Sequence, residues 1–384
     1  MFRKIFLLNL LLIAIACKQP TSTTSISSTE KTQSSKDLTV AVFNGNGAGA
    51  IGVIETKEAL EIDPNIKAME ISAAEIMQGN LKDVDVLIFP GGSGSKQLNN
   101  LGKQGQKIVK DFVKNGKSII GICAGAYMLC STPTYPSLQI ADVKHLDRPH
   151  YNRGRGLIAF QLTDEGYKIF PELKGHHQFI QYYDGPIMQE LGKNPSFKKI
   201  SIYKSDIHIN KGTPEGLTPG KLFSYYEQIG KGKILAIGGH AESTPGMRWM
   251  IPRMARFIAG KKLIKYDKKW IRPDINDHEI FFDSELAKKE NQNRWKLLSN
   301  NPEEQMDAMN FLHKIRSRPF VRWNIGLLRD TNPQVRALAA QILAKTEYTY
   351  AYPDLKVAYN MEKDKAVKTT MKKALDLLKK NNSL

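Results

Sequence analysis

Ser118-Ile-Ile-Gly-Ile-Cys123-Ala-Gly-Ala-Tyr127 reads as a buried strand that turns directly into a helix, with one cysteine at the turn. Ile119 and Ile120 supply the apolar run. The glycines flanking Ile122-Cys123-Ala124 let the chain reverse sharply and leave the middle side chain exposed at the tip. A thiol on such an elbow lies at a helix N-terminus, where unpaired backbone N–H groups and the dipole stabilise thiolate, the form that attacks a carbonyl carbon. Much further on, Ile234-Leu-Ala-Ile-Gly-Gly-His240-Ala-Glu242 reads as a second buried strand, whose end brings an imidazole towards the first. His240 is then the base for Cys123. Glu242, pointing the same way from the strand end, orients the imidazole and stabilises imidazolium.

Upstream, Asp85-Val-Leu-Ile-Phe-Pro90-Gly91-Gly92-Ser-Gly94 is another strand running into a glycine-rich loop. The N–H groups of Gly91 and Gly92, with that of Ala124, would form an oxyanion hole, a job glycine suits because no Cβ blocks close approach. Asn44-Gly-Asn-Gly-Ala-Gly49 follows the strand Leu38 to Phe43, but its spacing is not Gly-x-Gly-x-x-Gly and no ribose-binding acid follows convincingly. It reads as an open loop beside the elbow, with Asn44 and Gly45 lining the pocket at the strand carboxyl ends, where doubly wound folds bind ligands. Tyr127, Tyr182, Tyr183 and Asp184 are further candidates for that pocket, the strand tyrosines having simple packing as their other reading. His176-His177 has no Cys or carboxylate at metal spacing, so no metal site is expected.

Phe89-Pro-Gly-Gly, Gly121-Ile-Cys-Ala-Gly and His240-x-Glu242 together resemble the class I glutamine amidotransferase superfamily. Val42-Phe-Asn-Gly-Asn-Gly, Gly121-Ile-Cys-Ala-Gly-Ala-Tyr127 and Tyr182-Tyr-Asp-Gly-Pro186 are similar to one branch of it, the N-terminal domain of eukaryotic biotin-protein ligases and of stand-alone bacterial proteins. The resemblance spans about Leu38 to Gly260. It implies a flavodoxin-like fold with Cys123 as nucleophile, His240 as base, Glu242 as orienter and Gly91 or Gly92 in the oxyanion hole. Tyr127 departs from the pattern, since glutaminases of the superfamily commonly carry a glutamine four residues after the nucleophile. That argues against free glutamine as substrate. Nothing here resembles a biotin ligase catalytic domain.

The pattern from Leu38 alternates buried strands with amphipathic stretches, as a doubly wound parallel α/β sheet should. Strands are expected at Leu38 to Phe43, Lys67 to Ile71, Val84 to Phe89, Leu222 to Tyr226 and Ile234 to Ile237, besides the elbow strand. Helices are expected at Val53 to Leu60, Gln104 to Lys114 and Met247 to Ile258. Leu157 to Leu162, Phe179 to Tyr183 and Ile200 to Tyr203 suggest an antiparallel insertion.

The first residues bear on where any chemistry happens. Arg3 and Lys4 precede the apolar run Ile5 to Ile13, and Ala14-Ile-Ala-Cys17 follows, which reads as a secretory signal (residues 1–16) with a lipobox. Cys17 is expected to be lipidated, so the protein is expected in the cell envelope, anchored to a bacterial membrane. Residues 17–37, rich in Ser, Thr, Gln and Lys, then form a flexible tether to the α/β domain, residues 38–260. The net charge of +18 invites a nucleic-acid partner, but Lys is scattered and no such motif appears. Of the three cysteines, Cys130 lies two helical turns from Cys123, too far for a disulfide, and reads as a buried thiol.

After Gly260 the glycine-rich character stops. A lysine-rich linker, residues 261–283, leads to helical segments over residues 284–384. Asn301-Pro-Glu-Glu-Gln-Met-Asp-Ala308 is echoed by Asn332-Pro-Gln-Val-Arg-Ala-Leu-Ala339, and a weaker copy begins near Asp364. Asp330-x-Asn-Pro-x-Val-Arg resembles a HEAT-type repeat. Such units bury their apolar stripes by stacking and present a binding face, so this small all-α domain should dock a protein partner or cover the pocket. The reading is an exported cysteine amidohydrolase or amide transferase acting on a small amide or cell-wall peptide, requiring no cofactor. The rival is a binding module that has kept the fold and lost turnover.

Overall fold

The computed structural model describes residues 37–146, 154–207 and 215–381. Cys17 and most of the tether lie outside them. Strands run at β1 (Leu38–Phe43), β2 (Ile66–Ile71), β3 (Val86–Phe89), β4 (Ser118–Ile122), β5 (Val143–His145), β6 (Arg155–Leu162), β7 (Phe179–Tyr183), β8 (Met188–Glu190), β9 (Lys198–Tyr203), β10 (Leu222–Ile229), β11 (Gly232–Ile237) and β12 (Ile280–Phe281). Helices in the α/β part are α1 (Ala50–Leu60), α2 (Ala73–Met77), α3 (Gly94–Lys114), α4 (Ala124–Leu129), α5 (Asp164–Ile169) and α6 (Met250–Ile258). Six more follow: α7 (Ser284–Lys296), α8 (Pro302–Lys314), α9 (Phe320–Leu327), α10 (Pro333–Lys345), α11 (Tyr352–Met361) and α12 (Lys365–Asn381).

A parallel core in the order β2-β1-β3-β4-β11 carries the site, because it places the ends of β3, β4 and β11 side by side. These strands are apolar on both faces since both are covered. Ile120, Ile122 and Leu235 pack on one side, and Ile119, Ile234 and Ala236 on the other. Beyond β11 the sheet turns antiparallel through β10, β9 and β6, and β7 and β12 both pair with β6. The molecule is thus a doubly wound α/β sheet with a parallel core, followed by an all-helical region.

Several elements differ from their expected bounds: α6 begins at Met250 rather than Met247, and β10 runs on to Ile229. Helix α1 begins at Ala50, before Val53. Helix α3 reaches back to Gly94, broken by non-helical backbone at Gly102 (φ 60°, ψ 176°), a conformation glycine takes without a Cβ penalty.

The helical region forms three pairs, α7/α8, α9/α10 and α11/α12, with α8, α10 and α12 in series. The repeated Asn-Pro has a physical reason. Asn301 and Asn332 each cap a helix by accepting from first-turn amides, and proline fills the position whose N–H would be unpaired anyway. Asp364 accepts from the amides of Ala366 and Val367 in the same way. The apolar core of these helices is continuous with Leu157, Phe179, Ile280 and Phe282 of the sheet. Residues 261–283 lie against the body: β12 joins β6, the Tyr266 hydroxyl donates to Asp63 (3.1 Å), and Arg272 pairs with Glu347 ahead of α11.

Candidate functional site

Cys123 sits between β4 and α4 with φ 52° and ψ −100°, a conformation a residue bearing a Cβ holds only under constraint from its surroundings. The constraints are visible. The Cys123 amide donates to the Ile237 carbonyl (2.9 Å), tying the elbow to the end of β11. The neighbouring glycines work by close approach rather than by reversing the chain. A Cβ on Gly125 would lie 2.0 Å from the Phe89 carbonyl oxygen, and one on Gly121 would lie 2.6 Å from the Gly125 backbone. The strained dihedrals belong to the cysteine itself.

His240 follows β11, where its amide donates to the Gln181 carbonyl of β7 (2.8 Å). A short 3-10 turn, Ala241–Ser243, then brings Glu242 back so that His240 Nδ1 and Glu242 Oε1 are 2.6 Å apart. Strand alternation, the expected reason for this pairing, is not what aligns them. Both are buried, His240 at 5% exposure and Glu242 at 1%. Burial opposes charge on the imidazole, but the Cys123 sulfur and the Glu242 carboxylate more than offset it and push the pKa of His240 up to about 10. The negative charge of a Cys123 thiolate is one of the causes that favour the protonated imidazole. The thiol also points to the main-chain carbonyl of Tyr183, at 3.4 Å. Cys130 is different: burial pushes its thiol up to about 12, and it donates to the Ala126 carbonyl within its own helix.

Cys123 and His240 open onto one cavity of about 470 Å³, walled by Gly49 to Gly52, Gly91, Gly92 and Tyr183, and closed by Arg318, Pro319, Arg322 and Trp323 of the helical region. That volume suits a small-molecule site. The two glycine loops are zipped together, with Gly49 N–H donating to the Gly91 carbonyl and Ser93 N–H to the Gly47 carbonyl, each at 2.8 Å. Gly91 lies directly under the imidazole, where a Cβ would come within 2.7 Å of His240 Cε1.

The structure does not bring every expected pocket residue to this wall. Ala124, expected to contribute its backbone N–H rather than its side chain, is buried at the start of α4. Asn44 is turned to Glu70 (2.6 Å), and Gly45 packs against Phe43 and Asn100. Tyr127 packs its ring on Tyr135 and His145 and donates to the Asp184 carbonyl (3.3 Å), while Asp184 N–H is bound to Gly154. Tyr182 and Tyr183 occupy opposite faces of β7: Tyr182 is 1% exposed with its hydroxyl on the Gly185 carbonyl, whereas Tyr183 is 42% exposed on the cavity. His176 meets Asp274 at the surface (2.8 Å). Among the described residues no group of three or more His, Cys, Asp and Glu side chains is placed to hold a metal, and no helix is long and apolar enough to cross a membrane.

Five residues were missed by the sequence reading. Arg318 donates to Glu55 on α1 (2.9 Å) and to Ser243 (2.6 Å), and Ser243 in turn bonds Glu55, so the helices are clasped to the turn that carries Glu242. Burial raises the pKa of Glu55 against the pull of Arg318. Arg322 and Trp323 stand on the wall itself.

A doubly wound sheet with a cysteine elbow after one parallel strand and a histidine after its neighbour defines a class I glutamine amidotransferase-like protein. Residues 38–269 match the family described as Biotin-protein ligase, N terminal, and the chain belongs to that family. Among curated relatives it is similar to a cobyric acid synthase of Prochlorococcus marinus, 31% identical over 34% of this chain and 26% of that protein. A biotin–protein ligase of Schizosaccharomyces pombe is 20% identical over 64% of this chain and 41% of its own length. The pyridoxal 5'-phosphate synthase subunit PdxT of Halalkalibacterium halodurans is 25% identical over 38% of this chain and 72% of that subunit. The chain therefore spans about a quarter of the first and two fifths of the second.

Proposed function

We propose that the protein is a thiol amidohydrolase or amide transferase that works through a Cys123-His240-Glu242 triad and a thioester. One observation carries the reading: a cysteine held in strained backbone shares a cavity with a buried imidazole whose other nitrogen is fixed by a carboxylate at 2.6 Å. An imidazolium beside the sulfur suits attack by thiolate on an amide carbonyl. The developing oxyanion would rest on N–H groups near Gly91, Gly92 and Ala124. His240 would then give its proton to the leaving amine and, now neutral, take one from the water or amine that releases the acyl group from sulfur. Glu242 fixes the tautomer and stabilises the imidazolium throughout.

The substrate class we favour is a small amide or peptide of the cell envelope, because residues 3–17 read as a lipoprotein signal. A Cys17→Ser chain that still fractionates with membranes would count against this setting. The chemistry is tested separately, by incubating the purified protein with envelope extract and searching Cys123 by mass spectrometry for an acyl adduct. A hydroxylamine-sensitive adduct that is absent from Cys123→Ser supports the reading and identifies the carbonyl half of the substrate. A protein that binds extract components yet never carries an adduct supports a binding module instead.

A further inference from the structure

The cavity wall contains two arginines and no carboxylate among the described residues. Their charges are not equivalent. Arg318 is neutralised by Glu55, whose carboxylate it meets at 2.9 Å, so its guanidinium serves the clasp between α1 and the helical region. Arg322, one turn on in α9, makes no ion pair or hydrogen bond among the described residues and is exposed to the cavity. Beside it Trp323 lines the same wall, its ring edge-on to Trp295 (centroids 6.0 Å apart). The helical region thus contributes an aromatic surface and an uncompensated guanidinium to a cavity otherwise built by the α/β domain.

We infer that Arg322 binds a carboxylate of the substrate, so that the amide cleaved at Cys123 belongs to a molecule bearing a carboxylate on the side that faces α9. This rests on the proposed function and narrows its substrate class. A single unpaired guanidinium presents a planar fork of N–H donors that matches one carboxylate, and Trp323 offers an apolar face for the chain between carboxylate and amide. Among the described residues Arg322 is the one unpaired cation on the wall, and a multiply charged phosphate would need more. The specificity-determining residues then lie outside residues 38–269, in a segment the family match does not reach.

The test uses charge as its readout and needs no knowledge of the substrate. Alkylation rates of Cys123 by iodoacetate and by iodoacetamide are measured on the full chain, and their ratio is divided by the same ratio for free cysteine. Expected is a normalised preference for the anionic reagent of about three- to tenfold, abolished in Arg322→Gln, retained in Arg322→Lys, with the iodoacetamide rate unchanged. A wild-type ratio at or below that of free cysteine, or a preference that survives Arg322→Gln, overturns the inference. If Cys123 reacts with neither reagent, it is the nucleophile reading that fails. The carboxylate site is then judged by tryptophan fluorescence titrated with glutarate: saturation lost in Arg322→Gln upholds it, and no saturable change refutes it.

Discussion

Replacing Gly91 by alanine tests the site from beneath. The added methyl would stand 2.7 Å from His240 Cε1, whereas carbon atoms in contact sit about 3.5–4.0 Å apart, so the ring must retreat by about 1 Å. It cannot retreat freely, because Nδ1 is held at 2.6 Å from a carboxylate buried behind it. The loop cannot easily give instead, since the Gly91 carbonyl accepts from Gly49 N–H at the start of α1. Overpacking of this kind costs about 1–3 kcal/mol. A 1 Å error in the placement of a reacting group costs on the order of 10²-fold in rate. The assay is urea unfolding together with the rate of Cys123 alkylation by iodoacetamide at about pH 6. Gly326→Ala in α9, where a Cβ would meet open space, is the control and should be neutral or stabilising by about 0.5–1 kcal/mol. A folded Gly91→Ala protein that alkylates at the wild-type rate would show that the imidazole does not set the reactivity of the sulfur.

Three further outcomes follow from the same geometry. The pKa of His240 is raised from 6.5 to about 10, so its charged form stabilises the fold fully below about pH 6.5, and that contribution is lost as pH rises towards 10. The stability advantage of wild type over His240→Ala should shrink over that window in denaturant titrations, and Cys123→Ser should lower the His240 pKa seen by NMR. Arg318→Ala removes the ion-pair partner of the buried Glu55, leaving it the Ser243 hydroxyl and the more distant charge of Arg248, and should cost about 3–5 kcal/mol, read by calorimetry, with proteolysis reporting release of the helical region. Gly125→Ala drives a methyl to 2.0 Å from the Phe89 carbonyl and should abolish soluble expression, because backbone on both sides is fixed by the sheet.

Much of this architecture was legible because the chemistry is local. Apolar runs marked the five parallel core strands, and Gly121-Ile-Cys-Ala-Gly125 and His240-Ala-Glu242 carry Cys123 and His240, which share the cavity, and Glu242, which meets His240 Nδ1. What stayed hidden depends on parity or on distance along the chain. Tyr182 and Tyr183 are chemically identical neighbours, and only the pairing of β7 with β6 decides which faces the core. Asn44 and Gly45 sit in the right loop but turn away, since Glu70 on the neighbouring strand offers Asn44 a partner. The clasp from Arg318 to Glu55 joins residues far apart in sequence, and nothing near either one signals the other. For the same reason nothing in the sequence beside Arg322 and Trp323 marks them as part of a cavity wall.

The central claim is that His240 activates Cys123, and competitive labelling of the two described thiols tests it most directly. Near pH 6, limiting iodoacetamide should modify Cys123 on the order of 10²-fold faster than Cys130, whose thiol burial pushes up to about 12, and His240→Ala should erase the difference. Slow, equal modification of both sulfurs in the wild-type protein would contradict the account.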